Sequence, residues 1–200
     1  MALFIPTYFG PISQYTEIVK SDSVVFEMED NFQKQSYRNR CYIFNANGKQ
    51  LLNIPVKDKN KGSSKRKKTK DLLVDNDAHW QLHHLKSLQT AYRTSPFYEF
   101  YEDDLRTIFT KKYTFLQDVN IDAHLFIADA LQIPLTYYKT EEYSINPDGN
   151  DFRELADVKI QPKIPVEKYI QMFDDKHGFI PNLSILDLLF MEGPNTISYL

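Results

Sequence analysis

Apolar positions along this chain change rhythm as it proceeds. In the first third they come as short runs separated by turn residues, a strand-like pattern. Leu3–Ile5 reads as a first strand that Pro6 ends, and Thr7-Tyr-Phe-Gly-Pro11 has the composition of a turn. Pro11 suits the first turn of a helix over about Ile12–Lys20, because Ile12, Tyr15, Ile18 and Val19 fall on one helical face. Ser21-Asp22 breaks it, and Val24–Phe26 is a second buried strand. Strand, helix, strand in under thirty residues predicts a compact βαβ unit with parallel strands. Asn47-Gly48 between two apolar runs predicts a hairpin with strands at about 38–44 and 50–56. Asp71–Val74 reads as a further strand.

From Asp77 apolar residues recur every third or fourth position. Trp80, His84, Leu85, Leu88, Ala91 and Tyr92 share one helical face. Ser95-Pro96 reads as the start of a second helix to about Lys111, and Thr114 as the cap of a third to about Leu131. Leu135–Tyr138 is a strand candidate. Residues 141–163 are polar and irregular, with a turn at Pro147-Asp-Gly149 and a cation at Arg153. Val166–Phe173 reads as a short helix. Ser184 with Asp187 resembles a capping box ahead of Ile185-Leu-Asp-Leu-Leu-Phe190, which Glu192-Gly-Pro194 stops. The expected fold is α/β: an N-terminal βαβ unit with a mixed, mainly parallel sheet, an inserted hairpin and a helical C-terminal half, all one domain over residues 1–200.

Composition adds little until charge is placed along the chain. An apolar fraction of 42% and a charged fraction of 26% in 200 residues are those of an ordinary globular domain. The net charge of −3 hides a sharp asymmetry. Residues 57–70, KDKNKGSSKRKKTK, hold eight basic residues and one acid, which leaves −10 for the rest. The segment reads as a mobile, solvated loop first, a lid over an anionic ligand second, and a nucleic-acid patch last. The single cysteine, Cys41, lies in an apolar run, which excludes an internal disulfide and favours a small buried residue over a reactive thiol. The expectation is a cytoplasmic protein without signal peptide or membrane span. GxGxxG, GxxxxGK[ST] and GxSxG are all missing from the chain, and no cofactor or metal is expected. His79 and His83 have a spacing that can share a metal, but no third ligand accompanies them.

The densest chemistry is at Asp30–Arg40, DNFQKQSYRNR, between two apolar runs. Ligands of parallel sheets bind beyond the carboxyl ends of the strands, and this stretch follows the second strand. If residues 37–44 are extended, alternation places Arg38, Arg40 and Tyr42 on one face, and Tyr37, Asn39, Cys41 and Ile43 on the other. Two guanidiniums on one face suit a phosphate or carboxylate. A solvated strand face with arginine stems packed on neighbours fits the same pattern.

Several motifs stand in a distinctive order and spacing: Pro6-Thr-Tyr-Phe-Gly-Pro11, Gln33-Lys-Gln-Ser-Tyr-Arg-Asn-Arg40, Leu51-Leu-Asn-Ile-Pro-Val56, Trp80 with His83-His84, Ala91-Tyr-Arg-Thr-Ser-Pro-Phe97, and Asn182–Phe190 with Glu192-Gly-Pro194. Together they resemble the WbqC-like family of bacterial proteins over most of the chain. Members occur near genes for O-antigen and other surface polysaccharides, and a glycine-transferase role has been suggested. The resemblance implies modification of a nucleotide-activated amino sugar by glycyl or acyl transfer. On that reading Asp30 is the nearest general base, with Lys34 as a point charge or base and His83 as a second acid/base. Arg38 and Arg40 hold the anion of a nucleotide sugar, Gln33 and Asn39 orient hydroxyls or an amide, and Tyr8 and Tyr37 stack on a ring. Nucleic acid is not an expected partner, although an aminoacyl-tRNA donor would give the basic run a purpose. The competing reading is a non-catalytic protein that binds a glycan or partner during polysaccharide assembly.

Overall fold

The computed structural model describes residues 1–57, 67–134, 136–160 and 164–200. In chain order the strands and helices are β1 (Ala2–Phe4), α1 (Ile12–Lys20), β2 (Val24–Phe26), β3 (Arg40–Asn45), β4 (Gly48–Asn53), β5 (Val56–Lys57), β6 (Leu73–Val74), α2 (Trp80–Tyr92), α3 (Tyr98–Thr110), α4 (Leu116–Ala130), β7 (Tyr137–Lys139), β8 (Asn150–Asp151), α5 (Asp174–His177) and α6 (Ile185–Glu192). The protein is α/β. One four-stranded sheet has the order β7-β2-β1-β8, and the pairs β3-β4 and β5-β6 form separate two-stranded ribbons. Every pairing in the large sheet is parallel, and both ribbons are antiparallel.

The sheet order follows from the sequence of burial. β1 is apolar at every position and lies in the middle, with β2 at register Ala2↔Val24 on one side and the polar pair Asn150-Asp151 at the exposed edge on the other. The chain steps outward from β1 to β2 to β7, then returns across β1 to β8. The strand order therefore reverses between β1 and β8, the kind of place where such sheets bind ligands.

Helix α1 buries Ile12, Tyr15 and Ile18 against the core. Its first amides are satisfied from the far end of the chain: Ile12 N donates to Leu183 O at 3.0 Å and Ser13 N to Asn182 Oδ1 at 2.9 Å. Just before it, Gly10 permits the side chains of Thr7 and Gln14 to hydrogen-bond across its Cα, where a Cβ would overlap both. Helix α6 is apolar nearly all round, and Ile185 to Phe190 are buried without exception. It packs against α1, α3 and β3.

Five expectations change. The strand predicted from residue 37 or 38 begins at Arg40, and Tyr37–Asn39 form a turn. Tyr37 N bonds to Ala156 O at 2.9 Å and Tyr8 N to Tyr37 O at 2.9 Å, so this backbone is occupied by loops and not by a ladder. Val166–Phe173 is not helical; a single turn, α5, follows it, because Gln171 pairs with the main chain of Ile180 through both ends of its amide. Helices α3 and α4 start at Tyr98 and Leu116 without a side-chain cap, so neither Ser95 nor Thr114 caps. Ser184 does cap α6, its Oγ accepting from Leu186 N, but Asp187 points into the core and Ser184 N bonds to Tyr42 O. The capping box is therefore incomplete. Of the strand expected at Leu135–Tyr138, β7 supplies Tyr137–Lys139; Leu135 lies outside the described residues.

Candidate functional site

A crevice of about 720 Å³ opens beyond the carboxyl ends of the parallel strands. Ile5 enters it from the end of β1, Asp30 to Gln33 from the segment after β2, Tyr143 from after β7, and Asp151 and Arg153 from the end of β8. Arg38 completes one wall. The volume lies within the ~300–1,000 Å³ range of small-molecule sites.

Each guanidinium in the crevice is already held by a carboxylate. Arg38 Nε and Nη2 both reach Asp30 Oδ2 at 2.7 Å, with both side chains about 5% exposed or less. The other oxygen, Asp30 Oδ1, is buried without a hydrogen-bond partner. Arg153 forks onto Asp151, with Nε to Oδ1 at 2.9 Å and Nη2 to Oδ2 at 2.6 Å. This fork holds the Asp151 carboxyl below its ordinary range and raises the Arg153 guanidinium. Arg153 Nη1 donates to Ser144 O at 2.8 Å, and the guanidinium lies 4.9 Å from the centre of the Tyr143 ring. Behind it sits Glu27, fully buried. Its Oε1 accepts from Glu29 N and Thr140 Oγ1, while Oε2 is 3.5 Å from Arg153 Nη1 and has no hydrogen bond. Among the described residues, Asp30, Asp151, Glu154 and Asp157 line the crevice against two arginines, so this part of the lining is acid-rich and not a simple anion hole.

Helix α4 positions this wall. The buried Asn120 donates through Nδ2 to Pro6 O at 3.0 Å and Arg38 O at 2.8 Å, and Gln117 Nε2 donates to Met28 O at 3.1 Å. The C-terminal end of the basic run docks at the same wall. Phe32 N bonds to Lys67 O, Thr69 N bonds to Asp30 O, and Lys68 and Lys70 both pair with Glu29, whose carboxyl they hold low. At the other end Lys57 pairs with Asp75 and Asp77. The mobile basic loop expected over 57–70, with a lid as its second reading, falls mostly on residues 58–66, outside the described residues.

Of the residues singled out from the sequence, Asp30, Gln33 and Arg38 come together in the crevice. Lys34 is exposed on the adjoining turn and does not line it. Tyr37 lines a neighbouring cavity. Asn39 is turned inward, its Nδ2 bonded to Asn53 Oδ1 and Ile54 O. Arg40 starts β3 with its Nε buried and unpartnered, and it does not share the crevice with Arg38. Tyr8 is a core residue, closed over by Phe9 and Trp80 and bonded through its hydroxyl to His84 Nδ1 at 2.9 Å. It cannot stack on a ligand there. His83 is exposed on α2 and does not line the crevice, while its neighbour His84 is buried. Among the described residues no group of three or more His, Cys, Asp or Glu could hold a metal ion, and no helix is long and apolar enough to cross a membrane. Glu27, Tyr143, Asp151, Glu154 and Asp157 were not singled out by the sequence reading, and Arg153 was noted there only as a cation.

The architecture is thus that of an α/β protein with a polar crevice where its parallel sheet reverses order. The family model of the WbqC-like protein family matches residues 6–170, and the chain belongs to that family. No curated protein and no solved structure matches it.

Proposed function

We propose that the protein is a transferase acting on a nucleotide-activated amino sugar in surface-polysaccharide synthesis, forming an amide by glycyl or acyl transfer in this crevice. One observation carries the reading: two buried carboxylates, Asp30 and Glu27, each keep one oxygen without a donor beside a paired guanidinium. A buried acceptor without a donor is costly. Asp30 lines the crevice, where an amine or hydroxyl from a ligand would satisfy it, while Glu27 stands behind Arg153 and backs its charge. Asp30 Oδ1 then accepts the proton of the sugar's amine as its nitrogen bonds to the donor's acyl carbon, the donor's alcohol or thiol leaves with that proton, and Arg38 holds the carboxylate in place. Arg153, the more accessible guanidinium, takes the substrate's phosphate or carboxylate in exchange for part of its contact with Asp151. Gln33 orients a hydroxyl. Lys34 supplies a point charge at the rim, and His83 has no part in this scheme.

The test is thermal unfolding with a panel of nucleotide sugars, nucleotides, glycine and acyl donors, followed by mass spectrometry of the mixtures. A ligand at about a hundred times its dissociation constant stabilises by roughly 2.7 kcal/mol. The reading expects a nucleotide amino sugar to raise the midpoint, Arg153→Ala to remove that rise, and a product heavier by the transferred group. A second reading, glycan or partner binding without turnover, is favoured by the fact that Arg38 and Arg153 are both neutralised within the chain. It expects the shift without the product. No shift from any member of the panel would sink the transferase.

A further inference from the structure

A second cavity, of about 430 Å³, adjoins the crevice and meets it at Ile160, which lines both. Its chemistry is the reverse of the crevice's. Val166, Ile180 and Ile160 give it aliphatic walls, and among the described residues no carboxylate lines it. Its polar groups among the described residues are Lys49, Tyr37 and Asn182. Each offers a donor. Lys49 forms no ion pair among the described residues; its Nζ lies 4.3 Å from the centre of the Tyr42 ring, and partial burial lowers its pKa. The Tyr37 ring packs edge-on against Tyr42 at 6.1 Å, so Tyr37 and Lys49 both pack on one aromatic ring. Burial pushes the Tyr37 hydroxyl up to about 12, so it remains a proton donor. Asn182 Oδ1 is taken by Ser13 N, which leaves its amide hydrogens for the cavity.

Ligand sites combine apolar walls with a few convergent polar groups, and here those groups are donors around one cation. We propose that this cavity binds a short aliphatic carboxylate, its head on Lys49 and Tyr37 and its chain along Ile160, Val166 and Ile180. A free charge-assisted donor set selects an anion, and the aliphatic walls select a hydrocarbon tail over a sugar or nucleotide. An amine of the same length lacks the complementary charge. Binding here does not require the crevice to be catalytic.

Sodium octanoate titrated into protein carrying labelled isoleucine methyl groups tests this by NMR. The expected result is saturable shifts at Ile160, Ile164 and Ile180, absent with octylamine. Lys49→Gln weakens binding about tenfold, as loss of a charged hydrogen bond implies, and Tyr37→Phe weakens it by less. Lys49 is exposed on β4, so an unchanged methyl spectrum elsewhere certifies the fold of that variant. Arg153→Ala, in the crevice, leaves octanoate affinity unchanged. Equal binding of octylamine, undiminished binding to Lys49→Gln, no shift at millimolar octanoate, or loss of binding in Arg153→Ala would each overturn the proposal. The last outcome would place the octanoate in the crevice and leave the transferase reading standing.

Discussion

Arg38 sends both Nε and Nη2 to the same oxygen of Asp30, Oδ2, and leaves Oδ1 without a donor. The pair is buried, so its members depend on each other more than they stabilise the fold. Removing one charge strands the other in a medium that solvates it poorly, at a cost of about 3–5 kcal/mol. Arg38→Met is therefore expected to lower the free energy of urea unfolding by that amount. Arg38→Met combined with Asp30→Leu should restore most of the loss, because an apolar pair of similar size needs no compensation. Additive losses in the double variant would show that the two side chains are not coupled.

Asn120 makes a different kind of prediction, since it is neutral and fully buried. Its amide ties the loop at Pro6 to the turn at Arg38 from a helix more than eighty residues further along the chain. Asn120→Ala leaves two carbonyls without donors and is expected to cost about 2–4 kcal/mol. It should also weaken any crevice ligand, because Arg38 loses its backbone anchor. Wild-type stability in this variant, measured by urea unfolding, would mean that other donors replace the amide.

These two contacts mark where sequence legibility ends. The bounds of α1 and β2 match the predicted Ile12–Lys20 and Val24–Phe26, since each depends on a local pattern of apolar residues and breakers. The buried face of α2 and the existence of a hairpin around Asn47-Gly48 follow from period and turn chemistry in the same way, although the turn is Ala46-Asn47, Gly48 already pairs with Asn45, and β4 ends at Asn53 rather than 56. The candidate site depends on distant contacts instead. Alternation from Tyr37 fails because Ala156, Tyr8 and Asn120 occupy that backbone, so Arg38 and Arg40 part company. Strand β8 is two polar residues long and exists only by pairing with β1, and no hydrophobic pattern can announce it. Yet β8 delivers Asp151 and Arg153 to the crevice. Asp187 has the spacing of a capping acid, but the hydroxyls of Tyr92 and Tyr169, both 2.5 Å from its oxygens, draw it inward.

Cys41 is fully buried, and burial raises its thiol well above the ordinary value despite an opposing hydrogen bond with Ser184. The thiolate is the reactive species, so the native protein should resist a disulfide reagent such as DTNB. Reaction should proceed at least about a thousandfold more slowly than in urea-unfolded protein, the factor set by the unfolding equilibrium of a typical domain. Rapid native labelling would mean that β3 opens locally.

The pH dependence of stability is set by buried groups of opposite sign. His124 packs among Tyr15, Phe26 and Tyr137, its Nδ1 has no partner, and burial pushes its pKa down to about 4. Burial does the same to His84. An unfolded histidine titrates near ~6.5, so below that pH the unfolded chain binds protons that the folded protein refuses. Stability is thus present above ~6.5 and is lost toward 4, at about 1.4 kcal/mol per pH unit for each histidine. Asp187 opposes this. Burial pushes its carboxyl up to about 6, so its contribution is present below the unfolded value near ~4 and fades as pH rises to 6. At pH 5 each histidine has cost about 2 kcal/mol, whereas Asp187 has regained only about 1.4 relative to neutral pH. The histidines win, and the protein should be acid-labile below pH 6.5. His124→Phe removes one of them and keeps the aromatic packing. Its stability relative to wild type should improve by about 2 kcal/mol between pH 8 and pH 5 in urea titrations. An unchanged difference across that range would show that His124 takes up its proton in the folded state as readily as in the unfolded chain.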